Sequence, residues 1–260
     1  MKIATWNING VKARLEGLVT WLKKSEPDIA CLQEIKSQNE GFPSERFEEL
    51  GYNVAVHGQK SFNGVAILSK LPFDETIAGL PGDESDEQAR YLEAVVSAGS
   101  GAVRIAAIYL PNGNPVDTEK YPYKLRWMDR LRDHLKNNLT YEEALIVAGD
   151  YNVIPTEDDV HDPQAWQGDA LYRPETLEKF HALLNLGLTD AFRACNHQGH
   201  QYTFWDYQAG AWQKDNGIRI DHMLLSPQAA DRLSSCGIER FTRGWEKPSD
   251  HVPVWLELDV

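Results

Sequence analysis

The sequence predicts an α+β fold, one compact sandwich with helices covering the outer faces of packed β-sheets. Three observations lead there. Apolar runs of strand length, bounded by turn residues, outnumber the stretches with helical periodicity. The two kinds of segment alternate only loosely. No linker, low-complexity tract or clear internal repeat divides the chain, so residues 1–260 read as one domain, a length large single-domain folds reach.

In chain order, residues 3–6 are strand-like and end in Asn7-Ile8-Asn9-Gly10. Residues 11–24 read as a helix with Val11, Leu15, Leu18, Val19 and Leu22 on one face, and Lys12, Arg14, Lys23 and Lys24 as solvated surface. After Pro27, residues 28–32 form a buried strand closed by Gln33-Glu34, where Glu34 breaks the apolar run. Lys36 can pair with that carboxylate or with an anionic ligand. Strands follow at 52–56 and 65–68, then an acidic loop at 82–87 that reads as solvated surface. Arg90 precedes a strand at 91–97, Gly99-Ser100-Gly101 signals a hairpin, and a return strand covers 103–110. It carries Tyr109, which alone reads as a core residue, and leads to Asn112, which alone reads as a turn residue.

A second helix spans about 123–139, with Leu125, Met128, Leu131, Leu135 and Leu139 in one core-facing stripe. The acidic loop 158–168 contains His161 but no metal-ligand spacing, and reads as solvated. Residues 174–186 form a third helix, with Pro at its start and Gly187 past its end. Residues 202–205 are aromatic and strand-like, and 218–225 alternate before turning apolar around Asp221. Ser249-Asp250-His251 leads into a last strand at 252–258.

The stretch 144–155, ALIVAGDYNVIP, holds the centre of the argument. Five apolar residues describe a strand buried on both faces, and Pro155 prevents simple continuation. Asp150 and Asn152 therefore stand two apart at a strand mouth and point to the same side. A carboxylate that accepts a proton and a carboxamide that donates hydrogen bonds can face one reacting group. Taken alone, Gly149-Asp150-Tyr151-Asn152 is also an ordinary turn. Matching polar clusters at other strand ends favour a site. The pair Asn7-Ile8-Asn9 and Asp150-Tyr151-Asn152 hints at two related halves.

Composition sets limits. With 39 acidic and 26 basic residues the formal charge is −13, which opposes broad attraction to nucleic acid. A nucleic-acid partner then requires a local basic face and a bound cation. Cys31, Cys195 and Cys236 fit no zinc pattern and suit a reducing compartment. No signal peptide and no apolar run of transmembrane length is apparent, so the expected location is cytoplasmic, away from membranes.

In order, Trp-Asn-Ile-Asn-Gly, Leu-Gln-Glu-x-Lys, Tyr-Leu-Pro-Asn, Gly-Asp-Tyr-Asn, Arg-Ile-Asp and Ser-Asp-His resemble the endonuclease/exonuclease/phosphatase superfamily. Within it the pattern resembles the exonuclease III type of abasic-site endonuclease, from Lys2 to about Leu258. The resemblance implies a four-layered αββα sandwich, two mixed β-sheets flanked by helices, with the site at one edge between the sheets. It implies a DNA-repair nuclease, acting as a monomer on double-stranded DNA with abasic sites or blocked 3′ ends, and a magnesium or manganese ion. Carried over by position, Glu34 is the principal metal ligand, with Asn9 and Asp250 close by. Asn7, Asp150 and Asn152 also fall in the metal set, and an alternative within the family has Asp150 serving as a second metal site. Asn7 and Asn152 correspond to donors to the scissile phosphate, and Asp150 to the group that activates or aligns water. His251 corresponds to a phosphate ligand oriented by Asp221, with Tyr109 against the same phosphate. Arg90 and Asn112 are assigned to the DNA backbone, and Lys36, Trp212 and Arg219 join them as DNA-binding residues. Phe204, Ile218 and Ile220 correspond to an apolar pocket for the baseless sugar, with ordinary core packing the competing reading for Ile220. Two other functions compete: hydrolysis of another phosphoester, such as a phosphoinositide or sphingomyelin, and non-catalytic DNA binding.

Overall fold

Alternation with a period of two builds the centre of the molecule. The computed structural model describes residues 1–99 and 101–259; the Ser100 of the hairpin signal lies outside them. In chain order the elements are β1 (Lys2–Asn7), α1 (Val11–Ser25), β2 (Ile29–Gln33), α2 (Ser44–Glu48), β3 (Asn53–His57), β4 (Val65–Ser69), β5 (Glu75–Ala78), β6 (Tyr91–Ala98) and β7 (Gly101–Tyr109). Then come α3 (Lys120–Asn138), β8 (Ala144–Asp150), α4 (Pro174–Leu184), β9 (Thr189–Asp190), α5 (Ala191–Cys195), α6 (Ala211–Lys214), β10 (Asp221–Leu225), α7 (Pro227–Ala230), β11 (Leu233–Ile238) and β12 (Val254–Leu258). One six-stranded sheet has the order β11-β12-β1-β2-β4-β3 and the other β5-β6-β7-β8-β10-β9. Each contains one parallel pair, β1 with β2 and β7 with β8.

In β8, Ala144, Ile146 and Ala148 face the other sheet, while Leu145 and Val147 face the outer layer of α3 and α4. In β2, Ile29 and Cys31 face inward, while Ala30 and Leu32 meet α1. Three stacked apolar layers thus fix four layers of structure. Parallel pairs need crossovers, which α1 and α3 supply, and this sends β1, β2, β7 and β8 to the same edge of the sandwich.

Several expectations change. Residues 202–205 form no ladder; Phe204 makes only isolated bridges to Ile218 and His251. The Thr203 hydroxyl accepts the backbone N–H groups of Ile220 (3.1 Å) and Asp221 (3.2 Å), taking the place of strand partners. That is why β10 starts only at Asp221. Helix α3 begins three residues earlier than read, because Pro122 is tolerated in a first turn. The polar edge strand β5 and the edge strand β11 had no clear signal. The acidic loops are not uniformly solvated. Asp86 pairs with Arg130 at 2.7 Å, and Asp159 is fully buried. The two related halves are present, but they pair β1 with β7 and β2 with β8, so Asp150 corresponds to Gln33 and not to Asn7. Among the described residues no helix is long and apolar enough to cross a membrane.

Candidate active site

The polar strand ends converge. Asp150, the last residue of β8, is buried among groups from both sheets. Its Oδ2 accepts from Asn7 Nδ2 at 3.0 Å, and its Oδ1 from the Asn152 backbone N–H at 2.9 Å. His251 Nε2 stands 3.7 Å from Asp150 Oδ2, and His251 Nδ1 meets Asp221 Oδ2 at 2.8 Å. Phe204 lies edge-on to the imidazole at 5.0 Å, and the His251 backbone is held on both sides: Trp6 Nε1 donates to its carbonyl at 3.0 Å, and its N–H donates to Ser249 Oγ at 3.2 Å. Asn9, Glu34 and Asn152 all adopt φ of 48°, a left-handed conformation uncommon outside glycine that recurs at functional sites.

The electrostatics follow from burial. Loss of water pushes the Asp150 carboxyl up; His251 pulls it back, Asp221 adds to the rise, and the result is about 7. Burial alone would lower the His251 imidazolium, but the carboxylates of Asp221 and Asp150 outweigh it and raise it to about 10. Burial, then Glu34 and Asp150, holds the Tyr109 hydroxyl well above its usual range.

A cavity of about 270 Å³ opens over these groups, with Glu34, Tyr109, Asp150, Asn152, Asp250 and His251 lining it. Phe204, Ile218 and Ile220 form one apolar side, and Trp166 and Leu171 also border it. A larger cavity, about 590 Å³, lies between α1 and the segment 242–249, but it contains none of Asp150, Asp221 and His251. The chemistry therefore belongs to the smaller one.

Asp150, Asp221 and His251 lie close enough to hold a metal ion. His251 Nδ1 and Asp221 Oδ2 are already joined at 2.8 Å, however, so this cluster has few free ligand atoms. The half-buried carboxylates of Glu34 and Asp250 fit better. They line the same cavity and flank Asn9, whose amide donates to Asp250 Oδ1 at 2.9 Å. Hard oxygen donors of this kind suit a hard divalent cation.

Some expected roles do not survive the geometry. Both amide hydrogens of Asn7 are committed, to Asp150 and to Glu34 Oε2 (3.2 Å), so Asn7 bridges two carboxylates and is not free to donate to a phosphate. The Asn7 oxygen accepts from the Asn9 N–H, and that of Asn152 from Asn112 Nδ2. Both are poorer metal ligands than the carboxylates. Arg219 is 1% exposed and tied to Asp159 at 2.7 Å and Asp190 at 2.9 Å, which removes it from any DNA-facing surface. Trp212 packs on Trp205 with ring centroids 4.8 Å apart and does not reach the cavity. Lys36 is exposed beside Glu34, and its Nζ donates to Asn9 Oδ1 at 2.6 Å. Asn112 is exposed at the cavity edge, and Arg90 lies over the Tyr109 ring.

One participant was missed. Lys124 is completely buried and donates to the carbonyls of Asn112 (3.1 Å) and Asn152. Burial pushes it down to about 7, against the pull of Asp150 and Asp169. The signal was available: Lys124 is four residues before Met128 and seven before Leu131, on the buried stripe.

The fold and these strand ends define a class: four-layered αββα proteins with an acidic, histidine-containing site at the edge between two sheets. Residues 4–251 match the Endonuclease/Exonuclease/phosphatase family, and the chain belongs to it. It is 34% identical over 99% of its length to exodeoxyribonuclease III of Haemophilus influenzae, all of which is covered. It superposes on an AP endonuclease from Archaeoglobus fulgidus with a TM-score of 0.95 and 35% identity, and on a Neisseria 3′ phosphatase bound to a product DNA hairpin with 0.96 and 36%. Both structures are covered completely, as is this chain.

Proposed function

We propose that the protein is a DNA-repair nuclease that hydrolyses the phosphodiester 5′ to an abasic site in duplex DNA, and also acts as a 3′→5′ exonuclease and 3′-phosphatase. The observation that carries this is the buried Asp150 carboxylate, placed between the Asn7–Glu34 contact and the His251–Asp221 pair at the floor of the cavity. Asp150, near neutrality, takes a proton from the attacking water, the range in which a general base is most effective. His251, protonated and fixed through Nδ1 by Asp221, presents Nε2–H to a phosphate oxygen. The second amide hydrogen of Asn152 and the Tyr109 hydroxyl reach the same phosphate. Glu34 and Asp250, with Asn9 beside them, would hold magnesium or manganese, which when bound would supply positive charge for the phosphate and the departing 3′ oxygen. Phe204, Ile218 and Ile220 receive the sugar, and an intact nucleotide must first be unstacked, at a few kcal/mol. The protein works as a cytoplasmic monomer.

Incision of an abasic duplex by the purified protein tests the reading. It should require added magnesium or manganese and stop in chelator. Undiminished cleavage in chelator removes the metal from the scheme, and preference for a phospholipid headgroup over DNA removes the substrate.

A further inference from the structure

The cavity floor rests on a closed ring of contacts that begins outside it. Helix α3 lies on the outer face of its sheet, and Lys124, in its second turn, passes beneath the loop that follows β7. Gly113 makes room for it. Its backbone is left-handed at φ +90°, and a Cβ there would stand 2.8 Å from Lys124 Cδ and 3.1 Å from Ala170 Cβ. The lysine stem therefore occupies the space any other residue at 113 would need. At its tip, Nζ donates to the carbonyls of Asn112 and Asn152. Two acceptors need two N–H donors, and the group has them whether or not it carries its third proton. Among the described residues it has no carboxylate within ion-pair distance, so its work is on these carbonyls. The ring then closes through side chains: Asn112 Nδ2 donates to Asn152 Oδ1 at 3.0 Å, and Asn152 Nδ2 to the Leu110 carbonyl at 2.9 Å.

We propose that Lys124 is a positioning residue: by drawing the carbonyls of Asn112 and Asn152 together it fixes both carboxamides toward the bound phosphate, without touching DNA. The role rests on the hydrolase reading above. Without the lysine, the carbonyls of Asn112 and Asn152 lose this donor, and the left-handed turn at Asn152 loses one of the contacts that hold it. A reacting group displaced by about 1 Å can slow a reaction by ~100-fold. The effect should therefore fall on turnover.

The test is Lys124→Met, of similar length and without donors, assayed with the wild type on an abasic duplex alongside thermal unfolding. Expected are a kcat lower by roughly 10–100-fold, a KM within about threefold of wild type, and little further loss when Lys124→Met is added to Asn152→Ala. Multiplicative losses in that pair, or an unchanged kcat in folded Lys124→Met, overturn the positioning role. If Lys124→Met does not fold, Lys124→Gln keeps a donor for the carbonyls of Asn112 and Asn152 without the full lysine contact. Its kcat should then fall with KM steady, and an unchanged kcat in the folded variant overturns the proposal. A wild type inactive on DNA would instead reject the hydrolase reading.

Discussion

The two sheets repeat one wiring. Read across each, the pairings run antiparallel, antiparallel, parallel, antiparallel, antiparallel. In one, Gln33 at the end of β2 pairs with Asn7 and Val65; in the other, Asp150 at the end of β8 pairs with Tyr109 and Asp221. The backbone is equivalent and the chemistry is not. Gln33 is fully buried and closes a neutral bond pair with Thr5, at 3.0 and 3.2 Å. Asp150 has a second carboxylate beside it, and two buried carboxylates ionise together only with a cation between them, here His251. The neutral end supplies Asn7, which bridges to Asp150, and then Glu34. Topology brings strand ends together; substitution at equivalent positions decides which end carries the buried carboxylate and which end supports it.

The largest break in this comparison is Asp150→Asn set against Gln33→Leu. The first should cut kcat by about 10²–10⁴-fold while DNA binding persists in a gel-shift assay. The second should cost about 1–3 kcal/mol by stranding the Thr5 hydroxyl, with turnover per folded molecule unchanged in parallel urea melts. Equal turnover in Asp150→Asn and wild type would return the site to an ordinary turn.

Glu34→Gln comes next, because it tests whether the neutral sheet's end carries the metal. Turnover should fall by at least roughly 10-fold and the magnesium needed for half-maximal rate should rise, as loss of a ligand charge demands. An unchanged magnesium titration would move the metal away from Glu34.

Phe204→Ala should act more weakly. It enlarges the apolar side of the cavity and should lower the ratio of abasic to intact-site incision by roughly 10-fold, since a lost apolar contact is worth about 1–3 kcal/mol of discrimination. Unfolding curves separate the alternatives: lower stability with a constant ratio identifies Phe204 as core.

The smallest effect concerns pH. Raised to about 10 in the folded state, His251 contributes stability that is complete below its ordinary 6.5 and lost as pH climbs toward 10. Asp221→Asn removes the strongest of the carboxylates that raise it. With chelator present, its unfolding midpoint should lie a few degrees below wild type at pH 6, a shift of about 1 kcal/mol or more, and the gap should narrow by pH 10. A constant gap would mean that Asp221 acts on packing and not on the ring's charge.

By itself the sequence determined what depends on neighbours along the chain. The stripe of α1, the five apolar residues of β8 and the Pro at the start of α4 carry their own periodicity and turn chemistry, so these elements were legible to within a few residues. The motif order likewise marked Glu34, Asp150, Asp221 and His251 for one site, and the structure brings them to one edge. Only the tertiary structure decided how the side chains are used. Arg219 and Ile220 are adjacent in sequence, just before Asp221, yet the Asp159 and Asp190 carboxylates hold one in the interior while the other lines the cavity. Asn7 looked like a phosphate donor until both its hydrogens met carboxylates from distant strands. Lys124 drew no reading from the sequence, and it is the loop around Gly113 that buries it. Hydrogen-bond partners and dielectric are set by residues remote in sequence, and a carboxylate's role as base, ligand or buried counter-charge depends on those two quantities.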